Sequence, residues 1–267
     1  MKKYIIALLT AGFAATLFAA EMTGRQVMEQ QEKLQKVTTE YGEEIMLLKD
    51  IKAGTQEKRT ARRHSKENEA GLGRSLFAFL SPADIAGTAV LTWEQTTEDD
   101  QWLYMPATKK MQRIASGSKK NYFMGTDFTY EDMESEDIEN FNYTILKTES
   151  ISLDGKEWPC WVIEAVPANP EKTKASGYSK RVLWVAQTAF ITLKVEFYDK
   201  RARLAKTQTI YELENITGTV WRPKKTIMDN TAKSSQTLTM VANRKINEPI
   251  EDDVFTERFI LSGKHAE

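Results

Sequence analysis

"FITLKVEFYDK", Phe190 to Lys200, holds the clearest pattern in the chain. Ile191, Leu193, Val195 and Phe197 point one way. Thr192, Lys194, Glu196 and Tyr198 point the other. Strict alternation of apolar and polar residues is the mark of a strand with one face on a core. The runs "RLAKTQTIYELEN", "GTVWRPKKTIMDN" and "QTLTMVANRKIN" follow it, with turn residues at Asn215 to Gly218 and Asn230 to Ser235. They read as long antiparallel strands joined by tight turns.

The same reading extends toward the N-terminus. "EEIMLLKDIKA" and "TQEKRTARRHSK" form a strand pair bent near Ala53-Gly54. "RSLFAFLSP" is a third strand, "PADIAGT" a turn, and "TAVLTWEQ" sets Ala89, Leu91 and Trp93 on one face. "DDQWLYMPATKKMQRI" is two short strands, with Trp102 and Tyr104 sharing a face. "FNYTILKTESISL" and "EWPCWVIEAVP" flank Asp154-Gly155, a strong hairpin signal. A loop, "PANPEKTKASGYS", comes next. "MTGRQVMEQQEKLQKV" is a helix with capping-box spacing at Thr23 and Gln26 and an incomplete apolar stripe of Val27, Leu34 and Val37. The tail "PIEDDVFTERFIL" holds one helical turn and a short segment. The expectation is a mainly β chain with short helices, about ten or eleven strands, in one domain over residues 21–267. A sheet that long must curl, and a half-open, strongly curved antiparallel barrel with helices over its mouth is the economical outcome.

Residues 1–20 differ from the rest. Lys2 and Lys3 precede "YIIALLTAGFAATLFAA". A basic start, an apolar run and small residues at the end describe a cleavable signal peptide. The alternative is an anchor, but the run falls short of the roughly 20 apolar residues a span needs. Loss of the two lysines takes the net charge from −1 to −3. Neither value sets up a field for nucleic acid. Cys160 is the only cysteine, so no intramolecular disulfide exists, which fits a periplasmic chain.

"NYFMGTDFTYEDM", Asn121 to Met133, is the stretch with chemical promise, because six of the nine residues from Glu131 to Glu139 are acidic. A calcium loop needs a glycine amid its ligands, and Gly125 precedes the acids. Thr129 and Asp132 have capping-box spacing instead. Thr129 is expected to cap a short helix from Tyr130 whose acids face water, with Gly125 and Asp127 turning the chain. A partner-facing acidic patch is the other open reading. His64 and His265 are the only histidines, and neither is placed to activate a serine. No nucleophile elbow, phosphate loop or CxxC occurs. The expectation is a protein with no catalytic residues, no metal and no cofactor. Lys58, Arg59, Arg62, Arg63 and Lys66 read as the solvated face of a strand, with phosphate contact as the alternative.

"RSLFAFLSPADIAGTAVLTWEQ", "DDQWLYMPATKKMQRIAS" and "NYFMGTDFTYEDM", in this order, resemble the outer-membrane lipoprotein-sorting protein family, relatives of the periplasmic lipoprotein carrier LolA. The resemblance spans roughly Tyr41 to Leu261. It implies a half-open barrel, a hydrophobic cavity for the acyl chains of a lipid or lipoprotein, a non-enzymatic carrier, and often an association with an inner-membrane lipid exporter of the resistance-nodulation-division type, of which a non-enzymatic accessory or adaptor is the alternative reading. The expected oligomeric state is a monomer. The chain is longer than true lipoprotein carriers and no motif names a lipoprotein cargo, so a free lipid is the alternative cargo. On this basis the cavity-lining residues are expected to be Leu76, Phe79, Leu91, Trp93, Trp102, Tyr104, Phe123, Met124, Phe128, Trp161, Ile163, Trp184, Val195 and Phe197.

Overall fold

A computed structural model describes residues 22–135 and 137–267. The expected signal segment, 1–20, lies outside them. Helix α1 (Gly24–Gln35) leads into six strands: β1 (Thr39–Asp50), β2 (Thr55–Glu67), β3 (Gly73–Ser81), β4 (Ala89–Trp93), β5 (Asp100–Met105) and β6 (Lys110–Arg113). Seven more follow residues 114–140: β7 (Phe141–Leu153), β8 (Lys156–Pro167), β9 (Tyr178–Ala186), β10 (Thr192–Asp199), β11 (Leu204–Thr217), β12 (Val220–Asn230) and β13 (Ser235–Ile246). A short α2 (Pro170–Ala175) sits between β8 and β9, and α3 (Glu257–Leu261) lies in the tail.

All thirteen strands form one antiparallel sheet, ordered β6-β5-β4-β3-β2-β1-β13-β12-β11-β10-β9-β8-β7. Every neighbour is a hairpin partner except β1 and β13, which join the two meanders. The sheet is open, with β6 and β7 as its edges. The count exceeds the expected ten or eleven. The strand hidden from pattern reading is β9, "YSKRVLWVA", which carries no alternation because it is buried on both faces. Its Leu183 and Val185 pack with α1, while Val182 and Trp184 pack with Trp158 and Cys160 on the opposite side. A run of that kind cannot be told from a buried helix by period alone.

β6 and β7 are consecutive in sequence yet stand at opposite edges, so residues 114–140 must cross the whole sheet. They do so as a strap over one face. This inner face also carries α1, whose Val27 and Met28 pack on Phe141, Ile163, Leu183 and Val185. The helix approaches so closely that a Cβ on Gly24 would lie 2.9 Å from the Tyr143 carbonyl oxygen. Its expected capping box is present: Gln26 N–H donates to Thr23 Oγ1 and Thr23 N–H to Gln26 Oε1. The tail covers the other, outer face at β3–β5, where Phe255 and Ile260 pack on Leu76, Ala78, Leu91 and Tyr104. No helix among the described residues is long and apolar enough to cross a membrane.

Candidate functional site

The strap builds the site. Tyr122 pairs with Thr129 as a small antiparallel bridge, turned by Met124 and Gly125 in the left-handed region (φ 46° and 77°). Phe123, fully buried, stacks on Phe79 at 5.3 Å and meets Phe77 edge-on at 5.6 Å. Met124, Phe128 and Met133 join the same cluster. Asp127, expected as a turn residue, is a clamp. Its carboxylate accepts from Ser235 Oγ (2.6 Å) and Thr237 Oγ1 (2.8 Å), fastening the strap to β13.

The capping box at Thr129 also exists. Thr129 N–H donates to Asp132 Oδ2 at 2.6 Å, and Asp132 N–H donates to Thr129 Oγ1 at 3.2 Å. The helix it serves is one 3-10 turn, Glu131–Met133. Its acids do not face water, contrary to expectation. The Asp132 side chain is 2% exposed and pairs with Lys206 Nζ, itself 1% exposed. It also accepts from Tyr178 Oη at 2.9 Å. Glu131 pairs with Arg181 at 3.2 Å and accepts from Gly177 N–H at 2.8 Å. Buried charges are tolerated only when paired and hydrogen-bonded, and each of these carboxylates meets a cation from β9 or β11. Burial alone would raise the Asp132 carboxyl, but the Lys206 ammonium outweighs it and holds it below the ordinary aspartate range. Burial and the adjacent Asp132 push Tyr178 well above the ordinary tyrosine value. The strap is thus bolted to the inner face by buried ion pairs.

Between strap, α1 and inner face lie two adjoining cavities. The larger, about 630 Å3, runs beneath α1. Its apolar wall includes Met28, Met133, Leu183, Val195 and Trp221, and the rest of its lining is largely polar, with Glu32, Lys36, Lys66, Glu67, Arg74 and Glu94 among it. The smaller, about 340 Å3, is walled by Met46, Phe77, Phe123, Phe128 and Met133. Glu40, Met133, Gln208 and Arg222 line both. Each volume falls in the range of about 300–1,000 Å3 usual for small-molecule sites. A third hollow, about 840 Å3, forms an acidic vestibule with Glu94, Glu98, Asp99, Glu131 and Glu134 on its wall. Burial raises Glu134 there to about 7, although Lys119 Nζ lies 2.5 Å away.

Of the fourteen residues expected to line one cavity, Phe123, Phe128 and Val195 do so. Phe79, Met124, Trp161, Ile163 and Phe197 lie in the packed clusters around it. Leu76, Leu91, Trp93, Trp102 and Tyr104 are on the outer face under the tail, with Trp93 Nε1–H donating to the Phe255 carbonyl. Trp184 packs with Trp158 and Cys160, and its indole N–H donates to Glu149. Strand parity leaves the choice of face open, and on β3–β5 both faces are apolar because the tail supplies a second core. The basic run is also divided. Arg59 is buried, donates to the Met124 carbonyl oxygen at 2.6 Å and lies over Phe79, while Arg63 lies over Phe77. Arg59 is therefore off the solvated face, while Arg63 keeps about a third of its side chain exposed.

The cavity is less apolar than expected. Arg63, Arg222 and Arg244 reach the smaller chamber beside Glu40 and Glu44. These five were missed by sequence reasoning, as were Gln208, Trp221 and the apolar Met28, Met46, Phe77, Met133 and Leu183. The three arginines sit among other polar residues in "TARRHSK", "WRPKKT" and "NRKIN", so no apolar face identified the inward side. No group of three or more metal-binding side chains occurs among the described residues.

A family model described as "Uncharacterized protein"-like matches residues 71–262. No curated protein sequence matches the chain. Among solved structures, a domain described as an outer membrane lipoprotein-sorting protein domain from Vibrio parahaemolyticus is 30% identical, with a TM-score of 0.82 over 89% of this chain and 98% of its own. A DUF1329 family protein from Desulfovibrio piger is 26% identical, with a TM-score of 0.81 over 89% of this chain and 97% of its own. A LolA superfamily protein from Nitrosomonas europaea shares the fold at 21% identity, with a TM-score of 0.69 over 89% of this chain and 99% of its own.

Proposed function

The chain belongs to the outer-membrane lipoprotein-sorting protein family, and from that premise we propose that it is a periplasmic carrier. It buries the acyl chain of a lipid or lipoprotein in the inner-face cavity and carries it toward the outer membrane. The observation behind this reading is the pair of adjoining chambers between α1, strap and sheet, of about 630 and 340 Å3. The apolar part of their walls, built of methionine, leucine, valine and aromatic residues, suits a flexible hydrocarbon. Methionine in particular conforms to irregular apolar shapes, and Met28, Met46 and Met133 all line the space. The protein works by binding, with no chemical step on its cargo and no cofactor. It acts as a monomer and receives cargo from an inner-membrane exporter.

Native mass spectrometry of protein isolated from the periplasm tests this, followed by organic extraction. The expected result is a non-covalent adduct of lipid mass that extraction releases. A single unadducted mass, together with no uptake of added fatty acid, would overturn the reading.

A further inference from the structure

The charge in the smaller chamber is not needed to bury a hydrocarbon. Its lining holds Arg63, Arg222 and Arg244 against Glu40, Glu44 and Asp132. Asp132 is neutralised by Lys206. Glu44 accepts from Arg63 Nε at 2.8 Å. Glu40 serves two cations: it accepts from Arg222 Nε at 2.8 Å and lies 3.0 Å from Arg244 Nε. Within the chamber lining three guanidiniums therefore face two available carboxylates, and the further acid acting on Arg244, Glu214, is itself paired with Lys224.

The unused donors point the same way. A guanidinium offers five N–H groups. Arg222 uses its own on Glu40 and on the Trp221 and Gln35 carbonyls. Arg244 donates to the Pro223 carbonyl at 2.8 Å through one terminal nitrogen, its Nε is engaged with Glu40 at 3.0 Å, and its other terminal nitrogen has no partner among the described residues. Arg63 donates only through Nε, with its guanidinium over Phe77. Burial, and after it the nearby Arg222 charge against the pull of Glu40, moves Arg244 down from the ordinary arginine range. An anion placed among these groups would relieve the crowding and fill the idle donors. The fork of N–H groups on an arginine matches the two oxygens of a carboxylate or phosphate.

We propose that Arg244 and Arg63 form a headgroup subsite for an oxyanion, a carboxylate or phosphate, on an amphiphile whose tail lies in the larger chamber against Leu183, Val195 and Trp221. This rests on the carrier reading and specifies its cargo as an anionic amphiphile. Arg222 and Glu40 line both chambers, so head and tail meet at their junction. The head is recognised by charge and fork geometry, and the tail by burial.

The test uses ligands of one chain length and different heads. Tetradecanoate, tetradecyl phosphate, tetradecanol and tetradecyltrimethylammonium each displace a neutral fluorescent dye from the full-length mature protein. Inorganic phosphate is a fifth arm. The two anions are expected to bind at least tenfold tighter than the alcohol, and inorganic phosphate alone not to displace the dye. Arg244→Gln is expected to bring the anions within about threefold of the alcohol, with the alcohol unchanged. Arg63→Gln is a second variant that leaves the Pro223 contact in place, with the same expected loss of preference. Equal binding of anion, alcohol and cation by the wild-type protein would overturn the subsite while leaving the carrier reading intact. Displacement by inorganic phosphate would make it an ion site unrelated to the tail. Failure of every alkyl ligand would overturn the carrier reading itself.

Discussion

Replacing Lys206 by Met tests whether buried ion pairs hold the strap. The substitution keeps most of the unbranched side chain and removes the charge. Asp132, 2% exposed, then keeps only the Tyr178 hydroxyl at 2.9 Å and the Thr129 N–H at 2.6 Å as donors. Breaking one side of such a pair costs about 3–5 kcal/mol, because the remaining charge is buried and uncompensated. Asp132→Asn is expected to cost somewhat less. Its stranded lysine still reaches the Asp127 carbonyl at 3.1 Å, and burial already pulls that lysine down, so it can shed its proton. The double variant removes both charges, and its loss should resemble that of one single variant instead of their sum. The coupling is thus about 2–4 kcal/mol, from urea midpoints followed by circular dichroism at pH 7. The pH dependence supplies a second readout. In the wild-type protein the folded Asp132 lies below its unfolded value of 3.8, so its contribution is present above that pH and lost as the pH falls through the folded value. Without Lys206, burial dominates and the folded value rises above the unfolded one, so the wild-type slope below pH 3.8 vanishes and the contribution instead falls as the pH rises from 3.8 through the folded value. Additive single effects with an unchanged slope would refute the bolted strap.

Phe123→Ala should cost about 3–5 kcal/mol and raise hydrogen exchange across residues 119–133, since it removes the stack on Phe79; a loss below 1 kcal/mol would mean the strap is not seated there. Gly24→Val places a branched side chain where a single Cβ is already 2.9 Å from the Tyr143 carbonyl oxygen, so α1 should lift and added dye should exchange faster, as stopped-flow fluorescence would show. Glu134, raised to about 7 from 4.5, holds more protons folded than unfolded, so its contribution makes stability fall as pH rises from about 4.5 to 7. Glu134→Gln should remove that slope in urea titrations at graded pH, and an unaltered slope would contradict the burial of this acid.

Strand existence was legible wherever one face alone is buried. Val195 and Phe197 pack on the inner side as their alternation indicates, while Leu193, at a register shift between β9 and β10, joins the Trp184 cluster. The Asp154-Gly155 turn and both capping boxes were readable because they depend on residues three or fewer apart. What failed was long-range. The acids of "FTYEDM" look solvated by themselves, and only Lys206 and Arg181, 74 and 50 residues away, make their burial tolerable. The choice of inner face on β3–β5 depends on a tail more than 150 residues downstream, as the Trp93 to Phe255 bond illustrates. Arginines entering a cavity leave no local mark, since a polar strand face looks the same whether it meets water or a ligand.

The central claim is that hydrocarbon is buried in the chambers beneath α1 and the strap. A series of saturated fatty acids from eight to eighteen carbons, each displacing one fluorescent probe, tests it most directly. Each added methylene buried is worth up to about 0.8 kcal/mol, close to fourfold in affinity. The account predicts affinity that climbs with each carbon and then levels where the chamber ends, with the plateau shortened by a bulkier wall such as Val195→Trp. Affinity independent of chain length would contradict it.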